Sequence, residues 1–191
     1  MRLLGGKVSV TEKIDGANVG IIRLKDEFRL QKRGSLVGES EHAQFQFFRA
    51  WSYNNYEKIM QLPKDVILYG ELTFAKHTVF YDKLPDYFIA FCLANRKTRE
   101  FYHRDEFVEM CEKIGFAYVP EVARDYFPRE ILFDLIPKVS HFGSEPAEGI
   151  VVENLKYRIR GKVVRMEFQK SMDQSGHWMH KAFTKNLLKE S

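Results

Sequence analysis

An α+β domain built on antiparallel sheets is the fold this sequence predicts, and three observations predict it. Short segments rich in β-branched and aromatic residues follow one another at hairpin spacing, at 8–13, 18–24 and 28–33. Phe45, Phe48, Trp51, Ser52, Tyr56 and Ile59 then recur at three- and four-residue steps, the signature of a helix over 41–60. Further strands and helices follow in mixed order with no internal repeat, low-complexity run or linker rich in Gly, Pro or Ser.

Taken in order, Val8, Val10 and Thr11 suit the first strand, and Lys25-Asp26-Glu27 makes a hairpin turn between the second and third. Pro63 closes the helix that begins near residue 41. Strands are expected at 66–72 and 87–93. A helix over 104–114 is stopped by Gly115, and another over 127–136 carries Pro128 in its first turn. Two more strands, 149–153 and 163–168, precede a last helical segment over 173–188.

At 191 residues and 45% apolar composition, the chain is expected to form a single domain over 1–191 with a proper core. The net charge of +4 permits a polyanionic partner without demanding one. Cys92 and Cys111 offer neither a disulfide framework nor metal-ligand spacing, so a reducing, cytoplasmic setting is expected. No run approaches the ~20 apolar residues of a membrane span, and the start of the chain lacks a signal-peptide core.

Charge crowds one turn. In "EKIDGAN" (12–18), Lys13 stands two residues before Asp15-Gly16, whereas a plain hairpin turn prefers neutral flanks. Five further stretches follow: "QKRGSLVG" (31–38), "LYGELTF" (68–74), "YFIAFCL" (87–93), "AEGIVVENL" (147–155) and "RGKVVRMEF" (160–168). Their order, over roughly residues 8–180, resembles the covalent nucleotidyltransferase superfamily of polynucleotide ligases and messenger-RNA capping enzymes. Within it, "EKIDGAN" with Asn18 after the glycine is most similar to ATP-dependent RNA ligases, and "GELTFAKHTVFYDKLPDYFIAF" to short RNA-ligase-domain proteins of bacteria and phages.

The resemblance implies an ATP-grasp-like ligase adenylylation domain of antiparallel sheets flanked by helices, with no C-terminal OB-fold. It implies ATP and Mg2+ (or Mn2+) as cofactors. RNA with 5′-phosphate and 3′-hydroxyl ends is the implied substrate, with a protein partner supplying a missing nucleic-acid-binding domain. Lys13 would be the nucleophile that becomes lysyl-AMP. A free lysine ionises near about 10.4, so its amine must be kept neutral, and a divalent cation held by Asp15, Glu71 and Glu148 would reconcile three acids with that need. Glu12 and Gly16 would belong to the nucleotide site. Alternation along 87–93 sets Tyr87, Ile89, Phe91 and Leu93 on one face and Phe88 and Ala90 on the other, and the resemblance implies that Phe91 stacks on adenine. Arg33, with Lys32 as the competing choice, would contact ribose or phosphate, and Asn18 would orient the 5′-phosphate end. Lys162 and Arg165 would neutralise phosphate charge. The pair is three residues apart where relatives carry K-x-K, so in a regular strand the two would face opposite sides.

Three other readings stand beside this one: a DNA ligase, a capping-type nucleotidyltransferase, and an RNA end-binding protein with impaired catalysis. His77 reads equally as a nucleotide contact or as a satisfied histidine. His177, Trp178 and His180 make no metal motif, and Lys181, Lys185 and Lys189 read as a solvated face.

Overall fold

A computed structural model describes residues 2–39, 41–168 and 184–190. Its contacts divide the chain into two compact units, each with its own sheet and core. One comprises the residues up to Asp15, Ala75–Pro85 and those from Val119 onward; the other comprises Gly16–Phe74 and Asp86–Tyr118. Neither is a continuous stretch of sequence.

The first unit holds a four-stranded antiparallel sheet in the order β7-β1-β8-β9, formed by β1 (Val8–Lys13), β7 (Glu121–Asp125), β8 (Gly149–Asn154) and β9 (Arg160–Val164). Val8 and Val10 of β1 pack with Ile150 and Val152 of β8 and with Ala147, Leu132 and Ile136. The helix expected over 127–136 is absent. Arg129–Ile131 form a single 3-10 turn, continued by three-residue backbone bonds from Asp134 N to Ile131 O and from Ile136 N to Phe133 O. That tighter winding still delivers Leu132 and Ile136 to the core while Arg129, Glu130, Phe133 and Asp134 stay exposed. The edge strand β7 has no counterpart among the expected elements.

Most of the helix expected over 173–188 lies outside the described residues. From 184 on the chain is not helical: Lys185 bridges Ala75 and Leu188 bridges Leu84, so this segment lies along 75–84.

The second unit holds a five-stranded antiparallel sheet, β4-β3-β2-β5-β6, formed by β2 (Ala17–Arg23), β3 (Phe28–Lys32), β4 (Ser35–Leu36), β5 (Val66–Leu72) and β6 (Phe88–Asn95). Helices α1 (Ala43–Asn54), α2 (Tyr56–Gln61) and α3 (Arg104–Ile114) supply Phe48, Trp51, Ile59, Phe107 and Cys111 to its core. There they meet Ile21, Leu68, Phe88 and Leu93; full burial of such a side chain contributes roughly 1.5–3 kcal/mol. Phe45, Phe48, Trp51 and Ile59 of the helical stripe are therefore core packing, while Tyr56 is exposed. The expected helix over 41–60 is broken at Asn55, whose backbone and side-chain N–H groups both donate to the Trp51 carbonyl. Gly115 ends α3 in the left-handed region at φ 85°, as the sequence predicts.

Candidate active site

Sheet register builds the centre of the site. Lys13 ends β1 directly opposite Gly149, the first residue of β8, and Glu148 immediately precedes it. The Lys13 Nζ donates to Glu148 Oε2 at 2.5 Å; the lysine side chain is 24% exposed and the glutamate 6%. Burial pushes the Glu148 carboxyl above its ordinary range, with Asp15 adding to the rise, while Lys13 and Lys162 pull the other way. A Cβ on Gly149 would lie 2.1 Å from the Val163 carbonyl oxygen, so only glycine lets β9 close here.

Glu12, the residue before the lysine, is fully buried and held by a loop the sequence did not mark. Ser140 Oγ donates to its Oε1 at 2.5 Å, and the His141 amide donates to Oε2 at 2.9 Å, with His141 Nδ1 also 2.9 Å away. Asp15, after the lysine, is engaged too. Its Oδ2 accepts the amides of Thr78 at 2.6 Å and Val79 at 2.9 Å, and its own amide donates to the Tyr81 hydroxyl at 2.8 Å. Tyr81 is fully buried, and desolvation first, then the nearby Asp15 charge, hold its hydroxyl well above the ordinary phenol range. Ser140, His141 and Tyr81 are site neighbours that sequence reasoning missed.

The closing basic strand lies earlier than expected, at Arg160–Val164 rather than 163–168. Lys162 is an exposed β9 residue opposite Val151. Arg165 falls just beyond the strand, and its guanidinium donates to the carbonyls of Ala147 at 3.2 Å and Pro137 at 3.2 Å.

The remaining candidates belong to the second unit. A Cβ on Gly16 would lie 2.6 Å from the Leu72 carbonyl oxygen and 3.0 Å from Glu71 Cγ, which fixes why the turn needs glycine. Asn18 of β2 faces Glu71 of β5 in the ladder. Arg33 and Gly34 form the exposed two-residue turn between β3 and β4, whereas Lys32 is tied to Glu41 at 2.5 Å and lies over the Phe45 ring. Phe91 is half-buried, but the alternation expected around it fails. Tyr69 pairs with Cys92 and Gly70 with Ala90, so Phe91 is a bulge residue, and Leu93 joins Phe88 and Ala90 in the core rather than sharing a face with Phe91.

Among the described residues, no three His, Cys, Asp or Glu side chains form a ready metal-binding group. His77, Cys92 and Cys111 are buried. His177, Trp178, His180 and Lys181 lie outside the described residues. No helix among the described residues is long and apolar enough to cross a membrane.

Two antiparallel sheets with flanking helices make a nucleotidyltransferase-type fold, and in one of them a lysine sits against the glutamate that immediately precedes the neighbouring strand. The same fold occurs in RNA ligase structures from Naegleria gruberi. One, with pyrophosphate, superposes with a TM-score of 0.74 at 18% identity, over 88% of this chain and 52% of that one. A lysine-to-alanine variant with ATP and Mn gives 0.73 at 18% identity, over 88% and 52%. A lysine-to-methionine variant with AMP and Mn gives 0.69 at 16%, over 90% and 53%. This chain thus spans about half the length of those ligases. Comparison with curated proteins gives no match. The family model for RNA ligases matches residues 6–166, and the chain belongs to the RNA ligase family.

Proposed function

We propose that this chain is the nucleotide-transferring core of an ATP-dependent RNA ligase, with Lys13 as the nucleophile. The observation that carries the reading is the 2.5 Å contact between the Lys13 amine and the buried Glu148 carboxyl. In the first step Lys13 Nζ attacks the α-phosphorus of ATP. A P–N bond forms, the bond from that phosphorus to the α,β-bridging oxygen breaks, and pyrophosphate leaves. The nitrogen must shed protons to do so, and Glu148 is in contact to receive one; burial makes its carboxyl a more willing acceptor. A 5′-phosphate oxygen of RNA then attacks the same phosphorus, and the P–N bond breaks as the amine recovers a proton. Finally a 3′-hydroxyl displaces AMP and forms the phosphodiester.

Lys162, exposed on β9 and close enough to lower the Glu148 carboxyl, is the cation proposed to neutralise phosphate charge, in preference to Arg165, whose guanidinium donates to carbonyls. The Naegleria structures with ATP and Mn, and with AMP and Mn, support ATP and a divalent cation as the cofactors here. Carboxylate oxygens are the donor type Mg2+ or Mn2+ takes, and Glu148 is the residue of the first unit that would hold the ion, whose charge favours the neutral amine. Asp15 Oδ2 already accepts two amides, which suits anchoring better than ligation. Gly16, Asn18, Arg33, Glu71 and Phe91 keep the roles the family resemblance gives them. The proposed substrate is RNA with 5′-phosphate and 3′-hydroxyl ends, and a protein partner supplying a further nucleic-acid grip belongs to the same proposal.

Incubation with α-labelled ATP and Mg2+ tests the first step. Wild type should retain acid-stable label and Lys13→Ala should retain none; equal labelling, or none in wild type, overturns the reading. Repeating the assay with GTP, and offering nicked RNA against nicked DNA, separates RNA ligase from capping enzyme and DNA ligase.

A further inference from the structure

Segment 184–190 does more than lie on the surface of its unit. Asn186 is fully buried, and its Oδ1 accepts the Tyr81 amide at 3.0 Å. The next residue closes the grip from the other side, with the Leu187 amide donating to the Tyr81 carbonyl at 2.8 Å. Three more backbone bonds extend it: Lys76 N to Thr184 O at 2.7 Å, Leu84 N to Leu187 O at 3.1 Å and Lys189 N to Leu84 O at 2.9 Å. Tyr81, so held, presents its buried hydroxyl to the Asp15 amide.

β1 ends at Lys13, so sheet pairing restrains the lysine from one side only. On the other side the chain passes through buried Ile14 to Asp15, whose amide rests on Tyr81 and whose carboxylate caps Thr78 and Val79. We propose that Asn186 is a positioning residue for the nucleophile: it fixes Tyr81, Tyr81 fixes Asp15, and the end of β1 is thereby held where the Lys13 amine meets Glu148. The inference rests on the proposed role of Lys13. The Asn186–Tyr81 joint is buried and the Tyr81–Asp15 joint part-buried, so cutting the first link leaves a buried donor unsatisfied and lets the next one shift. Small misplacement of a nucleophile costs rate out of proportion to the stability lost.

The test compares wild type, Asn186→Ala, Asn186→Asp (which keeps an acceptor oxygen at the same reach) and Tyr81→Phe (which removes only the hydroxyl). Each is measured well below its melting temperature for the rate of lysyl-AMP formation at saturating ATP, the half-saturating ATP concentration, and hydrogen exchange at the Asp15 amide. Asn186→Ala and Tyr81→Phe should each slow labelling by roughly ten- to a hundredfold with half-saturation unchanged. Asn186→Asp should recover much of the rate, and combining Asn186→Ala with Tyr81→Phe should add little, as expected of links in one relay. Asp15 exchange should quicken at least about tenfold in Asn186→Ala while amides of β5 stay as in wild type. Wild-type labelling and Asp15 protection in Asn186→Ala, with only a lower melting temperature, overturn the proposal. Should wild type itself take no label, the ligase reading fails, and the Asp15 exchange rates still decide whether the relay exists. If Asn186→Ala does not fold, Tyr81→Phe and Asn186→Asp carry the comparison.

Discussion

Lys13 and Gly149 face each other across the β1–β8 ladder, and this pairing is what brings Glu148 to the lysine amine. The two motifs "EKIDG" and "AEGIVV", 135 residues apart at the Lys13–Glu148 contact, are coupled by register. A slip of one residue would turn the strand's side chains to the opposite face and separate amine from carboxylate.

Gly149→Ala tests that coupling. Its added methyl has the Val163 carbonyl 2.1 Å away, so β9 must be pushed off or β8 must shift. The expected cost is about 1–3 kcal/mol or more, as for overpacked interiors, with loss of lysyl-AMP formation. A urea midpoint within error of wild type would show that the ladder is looser than described.

Glu148→Gln should trade activity for stability in a pH-dependent way. A carboxyl raised by the fold stabilises it most when protonated, below its ordinary value of 4.5, and that contribution is lost as pH rises through the folded-state value. Glutamine does not titrate. The variant's melting temperature should therefore gain on wild type as pH rises from 4.5 through the folded-state value, while labelling falls. A constant gap across that range would mean burial does not dominate at Glu148.

Arg33 and Lys32 should separate cleanly. Arg33→Met, at an exposed turn, should leave the melting temperature unchanged and weaken sealing of phosphorylated RNA. Lys32→Met should destabilise instead. The Lys32 amine, first, and the Gly38 amide, second, hold the Glu41 carboxyl below 4.5, a contribution present above that value and lost as pH falls through the folded one. Equal sealing defects with no stability change in either variant would contradict the assignment.

Cys111 should be silent in the folded protein. Burial, the largest influence, pushes its thiol up to about 12, leaving almost no thiolate at neutral pH. A disulfide reagent at about pH 8 should modify it only after denaturant is added. Rapid native modification, assigned by peptide mapping, would count against that burial.

The sequence revealed what local pattern encodes. β1, β2 and α3 were legible because β-branched alternation, hairpin spacing and a glycine stop sit within a few residues of each other. The edge strand β7 was not, since its half-buried residues owe their conformation to pairing with β1. The face shared by Phe91 and Leu93 was read from alternation, which a bulge defeats; Gly70 within β5 was the available warning. Lys13 and Glu148 were readable through their motifs. The hydroxyl of Ser140 on Glu12, 128 residues away, and Asn186 on Tyr81, 105 residues away, left no local trace. Polar contacts closed by tertiary folding are invisible to any window of sequence.

The interleaving of β1 between β7 and β8 has a consequence during synthesis. The strand that ends in Lys13 is made before its ladder partners, Glu121–Asp125 and Gly149–Asn154, which arrive more than a hundred residues later. At about 5–20 residues per second the nascent strand waits on the order of ten seconds with both edges bare. Newly made chains are thus exposed to mispairing for that interval.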